Sequence, residues 1–278
     1  MPIMTTPIFP PQAPGSRPKG ARDEREAAAQ VREMFTKIAP RYDFLNHLLS
    51  LSIDRVWRRR TAAKFGKIIR RTDARILDLC CGTGDLTFAM ERVRMKALRD
   101  SGAHRIPMVG SDFAQPMLER ARQKGQAHHR AAEFVASDAL NLPFPDACFD
   151  LVTTAFGFRN LANYENGLCE IARVLKDGGH LGILEFSEPS GGLMAALFRF
   201  YFRYILPTLG GAISGSKDAY RYLPGSVARF PNRKELAQMI RRVGFVDVQM
   251  YSWNFGSVVL HMARVPVVSS GARNGFPS

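Results

Sequence analysis

Three aspartates, Asp78, Asp112 and Asp138, each close a short apolar run: ILDL, VGSD and EFVASD. After the first come Cys80, Cys81 and the turn Gly82-Thr83-Gly84. If the runs are parallel strands, the acids share one rim of the sheet, and ligands of open α/β sheets bind beyond the carboxyl ends of the strands. Gly82 and Gly84 permit a tight turn and a close approach of backbone to ligand. The helix expected next would offer unpaired N–H groups to an anion. Asp112 is placed to accept both hydroxyls of a ribose, and Asp138 to meet an adenine amino group. One such acid alone reads as an ordinary cap or loop residue. Three at successive strand ends form a far more specific pattern.

A dinucleotide would call for G-x-G-x-x-G, with the third glycine packing helix on strand. Thr87 occupies that position and counts against it. Adenosine without pyrophosphate fits better, which points to S-adenosylmethionine with its amino-acid end on the Gly82–Gly84 turn. Methyl transfer from a sulfonium needs no acid at sulfur. It needs nucleophile, methyl and sulfur in line.

The elements that must position these residues follow from periodicity. DEREAAAQVREMFTKIA puts Val31, Met34, Phe35 and Ile38 on one helical face. RYDFLNHLLS continues at helical spacing, and DRVWRRRTAAKFGKIIRR reads as a basic helix carrying Val56, Ala63 and Ile68. Strand and helix then alternate through HLGILEFSEP, with the helix YENGLCEIARVLKDGG stopped by Gly178 and Gly179. That alternation implies a parallel sheet with helices on both faces. NRKELAQMIRRVGF resumes the pattern after a long aromatic interruption, and VDVQMYSWNF and SVVLHMARV follow as an antiparallel strand pair.

A chain of 278 residues with 46% hydrophobic content can bury a sizeable core. The balance of 39 Lys and Arg against 25 Asp and Glu, a net +14, favours anionic neighbours. Four cysteines without CxxC spacing read as reduced thiols in a cytoplasmic protein, and no metal site is expected. His180 and His261 fall inside strand patterns as core or edge residues. GGAISGSK lacks phosphate-loop spacing, since Ser216 separates Gly215 from Lys217. No apolar run reaches membrane-spanning length.

MFTKIAPRYDFLNHLLSLSIDRVWRR, ILDLCCGTGDL, LPFPDACFD, AFGFRN, RVLKDGGHLGILEFSEP and DAYRYLPGSVARFP together closely resemble the ubiquinone/menaquinone biosynthesis C-methyltransferases. The Gly turn is shared by many class I methyltransferases. YDFLN, FGFRN and YRYL are far more specific. The resemblance implies a Rossmann-like α/β fold with a seven-stranded, mainly parallel sheet. It also implies S-adenosylmethionine as donor and a ring carbon of a reduced polyprenyl quinone precursor as acceptor, with demethylmenaquinol favoured by the paired CCGTGD. Carried onto this chain, cofactor contacts fall on Thr83, Asp112, Asp138 and Ala139, beside Asp78, Gly82 and Gly84. Ala155 stands where the family often has Ser, and one polar contact is lost there.

The expected organisation is a disordered leader (1–22), an N-terminal helical lid (23–72) and a cofactor-binding core (73–188). A helical, aromatic insertion after the fifth strand (189–230), a closing helix and strand pair (231–266) and a disordered tail (267–278) complete it.

A hydroquinone carbon becomes nucleophilic when its hydroxyl loses a proton, so the site should stabilise a phenolate and accept protons. Arg159, beyond the fourth strand, is expected to hold the phenolate, and Asn160 to orient it. The lid would contribute Tyr42, Asp43 and Asn46, and the insertion Tyr220, Arg221 and Tyr222; Phe158 would line the acceptor. LMAALFRFYFRYILPTL, with Arg199 and Arg203 four apart, suits a polyprenyl wall or peripheral docking on anionic membrane. A homodimer is left open. The competing readings are an RNA methyltransferase and a non-catalytic quinone carrier. AFGFRN lacks the Asn/Asp-Pro-Pro-aromatic signature of base methylation, so no nucleic acid is expected, and intact acids at all three strand ends oppose the carrier.

Overall fold

The computed structural model of the chain describes residues 15, 16, 18, 20–43, 50, 52–99, 106–189, 191, 192, 196, 200 and 225–267. Asn46, Tyr220, Arg221 and Tyr222, with most of the insertion, the leader and the tail, lie outside the described residues.

One seven-stranded sheet organises the molecule, in the order β3-β2-β1-β4-β5-β7-β6. Its strands are β1 (Ile76–Leu79), β2 (Val109–Asp112), β3 (Glu133–Ala136), β4 (Phe149–Ala155), β5 (Leu175–Phe186), β6 (Val246–Trp253) and β7 (Val258–Arg264). The first five run parallel, and β7 lies antiparallel between β5 and β6. This is the expected seven-stranded, mainly parallel sheet. The strand order reverses direction between β1 and β4, where a ligand crevice opens in such sheets.

The helices are α1 (Glu24–Ile38), α2 (Ile53–Lys64), the single turn α3 (Gly66–Ile69), α4 (Asp85–Ala97), α5 (Gln115–Ala127), α6 (Tyr164–Val174) and α7 (Arg233–Arg242). They cover both faces, as strand alternation requires. Leu77 of β1, Val152 of β4 and Leu181 of β5 join Leu168 and Ile171 of α6 and Leu236 and Ile240 of α7 in one core. The adjacent Ile76, Leu151 and Leu184 point the other way, to Trp57 and Ala62 of α2 and Leu86 and Met90 of α4.

Two expectations need correction. The sixth helix ends at Val174, not at Gly178 and Gly179, because Leu175 already pairs with Phe149 in the sheet. Ladder formation outcompetes the last helical turn, and Gly178 instead supplies a positive φ of 71° within the long β5. In α2 the buried face is not Val56 and Ala63. It is Asp54, Trp57, Arg58, Thr61 and Ala62, while Val56 is 40% exposed. Asp54 and Arg58 on that face pair with each other inside, which hydropathy alone does not register.

Candidate active site

The turn after β1 is built from unusual backbone. Cys80, Gly82 and Gly84 have φ of 53°, 56° and 83°, and Gly84 caps α4. A Cβ on Gly84 would meet Phe88 at 2.9 Å and Phe134 at 3.1 Å, so packing as well as φ requires glycine there. The turn is tied to the next strand by Asp112. Gly82 N–H donates to its Oδ2 and Ala114 N–H to its Oδ1, each at 2.9 Å. Burial pushes the Asp112 carboxyl up, and the N–H donors of Ala114, Gly82 and Phe113 oppose that.

Asp78 is also buried, and its carboxyl is pushed up to about 7. Burial dominates; hydroxyl donation from Thr87 (2.6 Å) and Thr153 (3.2 Å) works against it. Thr87, the residue that spoiled the dinucleotide pattern, therefore has a structural task.

A cleft of about 700 Å³ opens at this rim. Tyr42, Gly82, Asp112, Asp138, Ala139 and Asn160 all line it. Beside it lies a smaller polar portion of about 300 Å³, walled by Tyr42, Arg58, Asp78, Thr83, Asp85 and Ala155. Asp43 reaches across the turn: Thr83 Oγ1 donates to it, and Lys124 Nζ lies 3.1 Å from Asp43, 3.1 Å from Thr83 Oγ1 and 2.6 Å from Asp85. The segment after α1, the Gly turn and α5 are joined at that point.

The loop after β4 carries Phe156 at φ 61° and Gly157, where a Cβ would overlap that of Cys80. Asn160 faces the cleft, but Arg159 and Phe158 do not line it. The Arg159 guanidinium is 2.9 Å from Glu185, also donates to the Phe156 carbonyl and lies over the Phe186 ring at 5.6 Å. Its Nε–H is buried and has no hydrogen-bond partner among the described residues. Phe158 is fully buried and stacked on Tyr164.

Sequence reasoning missed Arg58, Lys124, Glu185 and the paired hydroxyls of Ser111 and Ser137 on the cleft wall. Arg58 had a signal, its spacing of four from Asp54. Lys124 and Glu185 are remote from their partners in sequence and had none.

The residues suit an adenosine-bearing sulfonium. Asp112 and Asp138 offer carboxylates and Ser111 and Ser137 hydroxyls, while Phe113, Met117 and Leu140 supply apolar walls for a flat ring. Among the described residues no group of three or more His, Cys, Asp or Glu could hold a metal ion.

Comparison with known proteins agrees. The ubiE/COQ5 methyltransferase family matches residues 21–264. The chain is 49% identical to the demethylmenaquinone methyltransferase of Deinococcus radiodurans over 80% of this chain and 88% of that one. It is 46% identical to the demethylmenaquinone methyltransferase of Thermus thermophilus, over 84% of this chain and all of that one. In fold it is similar to a SAM-dependent methyltransferase from Aquifex aeolicus, at a TM-score of 0.55 and 15% identity, covering 80% of this chain and 97% of that one.

Proposed function

The chain belongs to the ubiE/COQ5 methyltransferase family, and from that premise we propose that it methylates a ring carbon of demethylmenaquinol, using S-adenosylmethionine. The observation that carries this reading is the rim itself: Asp112, tied to the Gly turn, lines one cleft together with Asp138 and Asn160. That both relatives are named demethylmenaquinone methyltransferases supports the choice of acceptor.

The donor supplies an activated methyl group on its sulfonium. Gly82 and Thr83 hold its amino-acid end, Asp112 its ribose hydroxyls, and Asp138 and Ala139 its base. Tyr42 closes the cleft from the lid side. The acceptor's hydroxyl loses a proton, its ring carbon takes the methyl, and the same carbon then loses its hydrogen as a proton, which restores aromaticity. The oxygen then takes a proton back, so one proton leaves overall and the demethylated thioether is the by-product. Asn160 orients the acceptor oxygen, and the unpartnered Nε–H of Arg159 supports the phenolate through a bridging water.

The polyprenyl tail brings the enzyme to an anionic membrane surface, where it associates peripherally. The +14 net charge and the exposed Arg55, Arg59, Arg60 and Lys64 of α2 support this. No helix among the described residues is long and apolar enough to cross a membrane. Flotation with anionic vesicles should show binding that weakens with salt; none at any salt would remove this part.

Labelled methyl transfer, with demethylmenaquinol and the ubiquinol-type precursor offered side by side, tests the whole. Label should enter demethylmenaquinol preferentially. Comparable labelling of both would replace the proposal with a dual-substrate enzyme, and labelling of neither would overturn it.

A further inference from the structure

Four carboxylates, Asp78, Asp85, Asp112 and Asp138, line the two portions of the cleft, against one cation among the described lining residues, Arg58. S-adenosylmethionine carries two positive centres and one carboxylate. The acids suit the positive centres. The carboxylate, taken from water into a buried wall, needs a cationic partner.

Arg58 meets that need by position. It sits on α2, with its side chain 8% exposed, and it opens on the polar portion beside Thr83 and the Gly turn. Its guanidinium is held over the Phe156 ring, 5.3 Å from the centroid, and ion-paired to Asp54 one helical turn away. The helix itself is anchored, since Trp57 Nε1–H donates to Asn254 Oδ1 at 2.7 Å. Burial acts to lower the Arg58 guanidinium, but Asp85 and Asp54 outweigh it and hold it above the ordinary arginine value. The bond to Asp54 uses one of the five N–H groups a guanidinium carries. Asp54 in turn divides its oxygens between Arg58 and Ser50, whose hydroxyl donates at 2.7 Å. The neighbouring cation, Lys124, is already surrounded by Asp43, Asp85 and Thr83 and lines neither portion. Ala155, on the same wall, brings no polar side-chain atom.

We propose that Arg58 binds the α-carboxylate of the donor's amino-acid end in the polar portion of the cleft, and so sets which end of the donor enters there. This rests on the reading of S-adenosylmethionine as donor.

Calorimetric titration with S-adenosylmethionine and with its decarboxylated form, which keeps both positive centres, tests it. The proteins are wild type, Arg58→Met and the charge-neutral pair Asp54→Asn with Arg58→Met. A charge-assisted bond of this kind predicts that wild type prefers the carboxylate-bearing donor by about 10- to 100-fold. Both variants should lose affinity for that donor by about the same factor and change little toward the decarboxylated one. Equal binding of the two donors by wild type overturns the proposal, as does a parallel loss of both in the variants. If Arg58→Met alone does not fold, the neutral pair and the wild-type preference still decide. A wild type that binds neither donor brings down the proposed function instead.

Discussion

Arg159 and Glu185 are joined twice: the backbone N–H of Arg159 donates to Oε1 at 3.0 Å, and its guanidinium to Oε2 at 2.9 Å. Both side chains are nearly fully buried, so the pair pins the loop after β4 to the end of β5. Removing one partner strands a buried charge. Arg159→Ala should therefore cost about 3–5 kcal/mol of stability in addition to crippling turnover. Arg159→Gln combined with Glu185→Gln leaves no stranded charge and should regain most of the stability. Donor affinity should hold and turnover should stay low in that double variant. Wild-type turnover there would reduce Arg159 to a fastener of the loop.

Asp112 spends one oxygen on the Gly82 N–H and the other on the Ala114 N–H. Its carboxylate holds the turn in shape and remains on the cleft wall for the ribose. Asn would keep one acceptor and point an NH₂ at a donor. Asp112→Asn should lower affinity for S-adenosylmethionine by about tenfold or more, with stability down by about 1–3 kcal/mol. Calorimetry and urea unfolding measure the two separately. Unchanged affinity would remove Asp112 from the donor site.

The sheet and its acidic rim were legible because strand ends carry their own punctuation: an apolar run, an acid, a glycine turn. Asp78, Asp112 and Asp138 needed no long-range information. The buried face of α2 was not legible, because Arg58 looks solvent-exposed until Asp54 and the cleft are seen beside it. Arg159 was expected to face the acceptor because AFGFRN follows the fourth strand at the rim of the sheet. Its partner, Glu185, is 26 residues away and is brought close only by β4 pairing with β5. The end of α6 was misread for a related reason: Gly178 and Gly179 look like a helix stop, but the pairing of Leu175 with Phe149 decides earlier.

Asp78 makes stability depend on pH in an unusual direction for an acid. Its carboxyl titrates near pH 7 in the folded chain against about 3.9 unfolded. The folded state holds the proton more tightly, so the contribution is complete below about pH 4 and is lost as pH rises to about 7. Asp78→Asn mimics the protonated acid. Its advantage over wild type should be small at pH 4 and grow to on the order of 4 kcal/mol by pH 8. Urea midpoints across that range measure it. A constant difference between the two proteins would mean that Asp78 is ionised throughout.

His261 acts in the opposite sense over the same range, and a separate variant isolates it. Burial in β7 lowers its imidazole to about 4, only partly opposed by its bond to the Arg233 carbonyl at 2.8 Å. That carbonyl accepts, so Nε2 carries the hydrogen in the neutral ring, and Nδ1 is buried with no partner among the described residues. Unfolded, the ring titrates near 6.5. The unfolded state therefore takes up the proton first. The stability that neutral His261 confers is complete above about pH 6.5 and is lost as pH falls toward 4, by on the order of 3 kcal/mol. His261→Gln keeps an N–H for the Arg233 carbonyl and has nothing to protonate. Between pH 7.5 and 4.5 it should lose less stability than wild type, with Asp78 unchanged in both proteins so that its contribution cancels in the comparison. Parallel loss in the two would show that the folded ring takes up its proton as readily as the unfolded one, and the argument from its burial would fall.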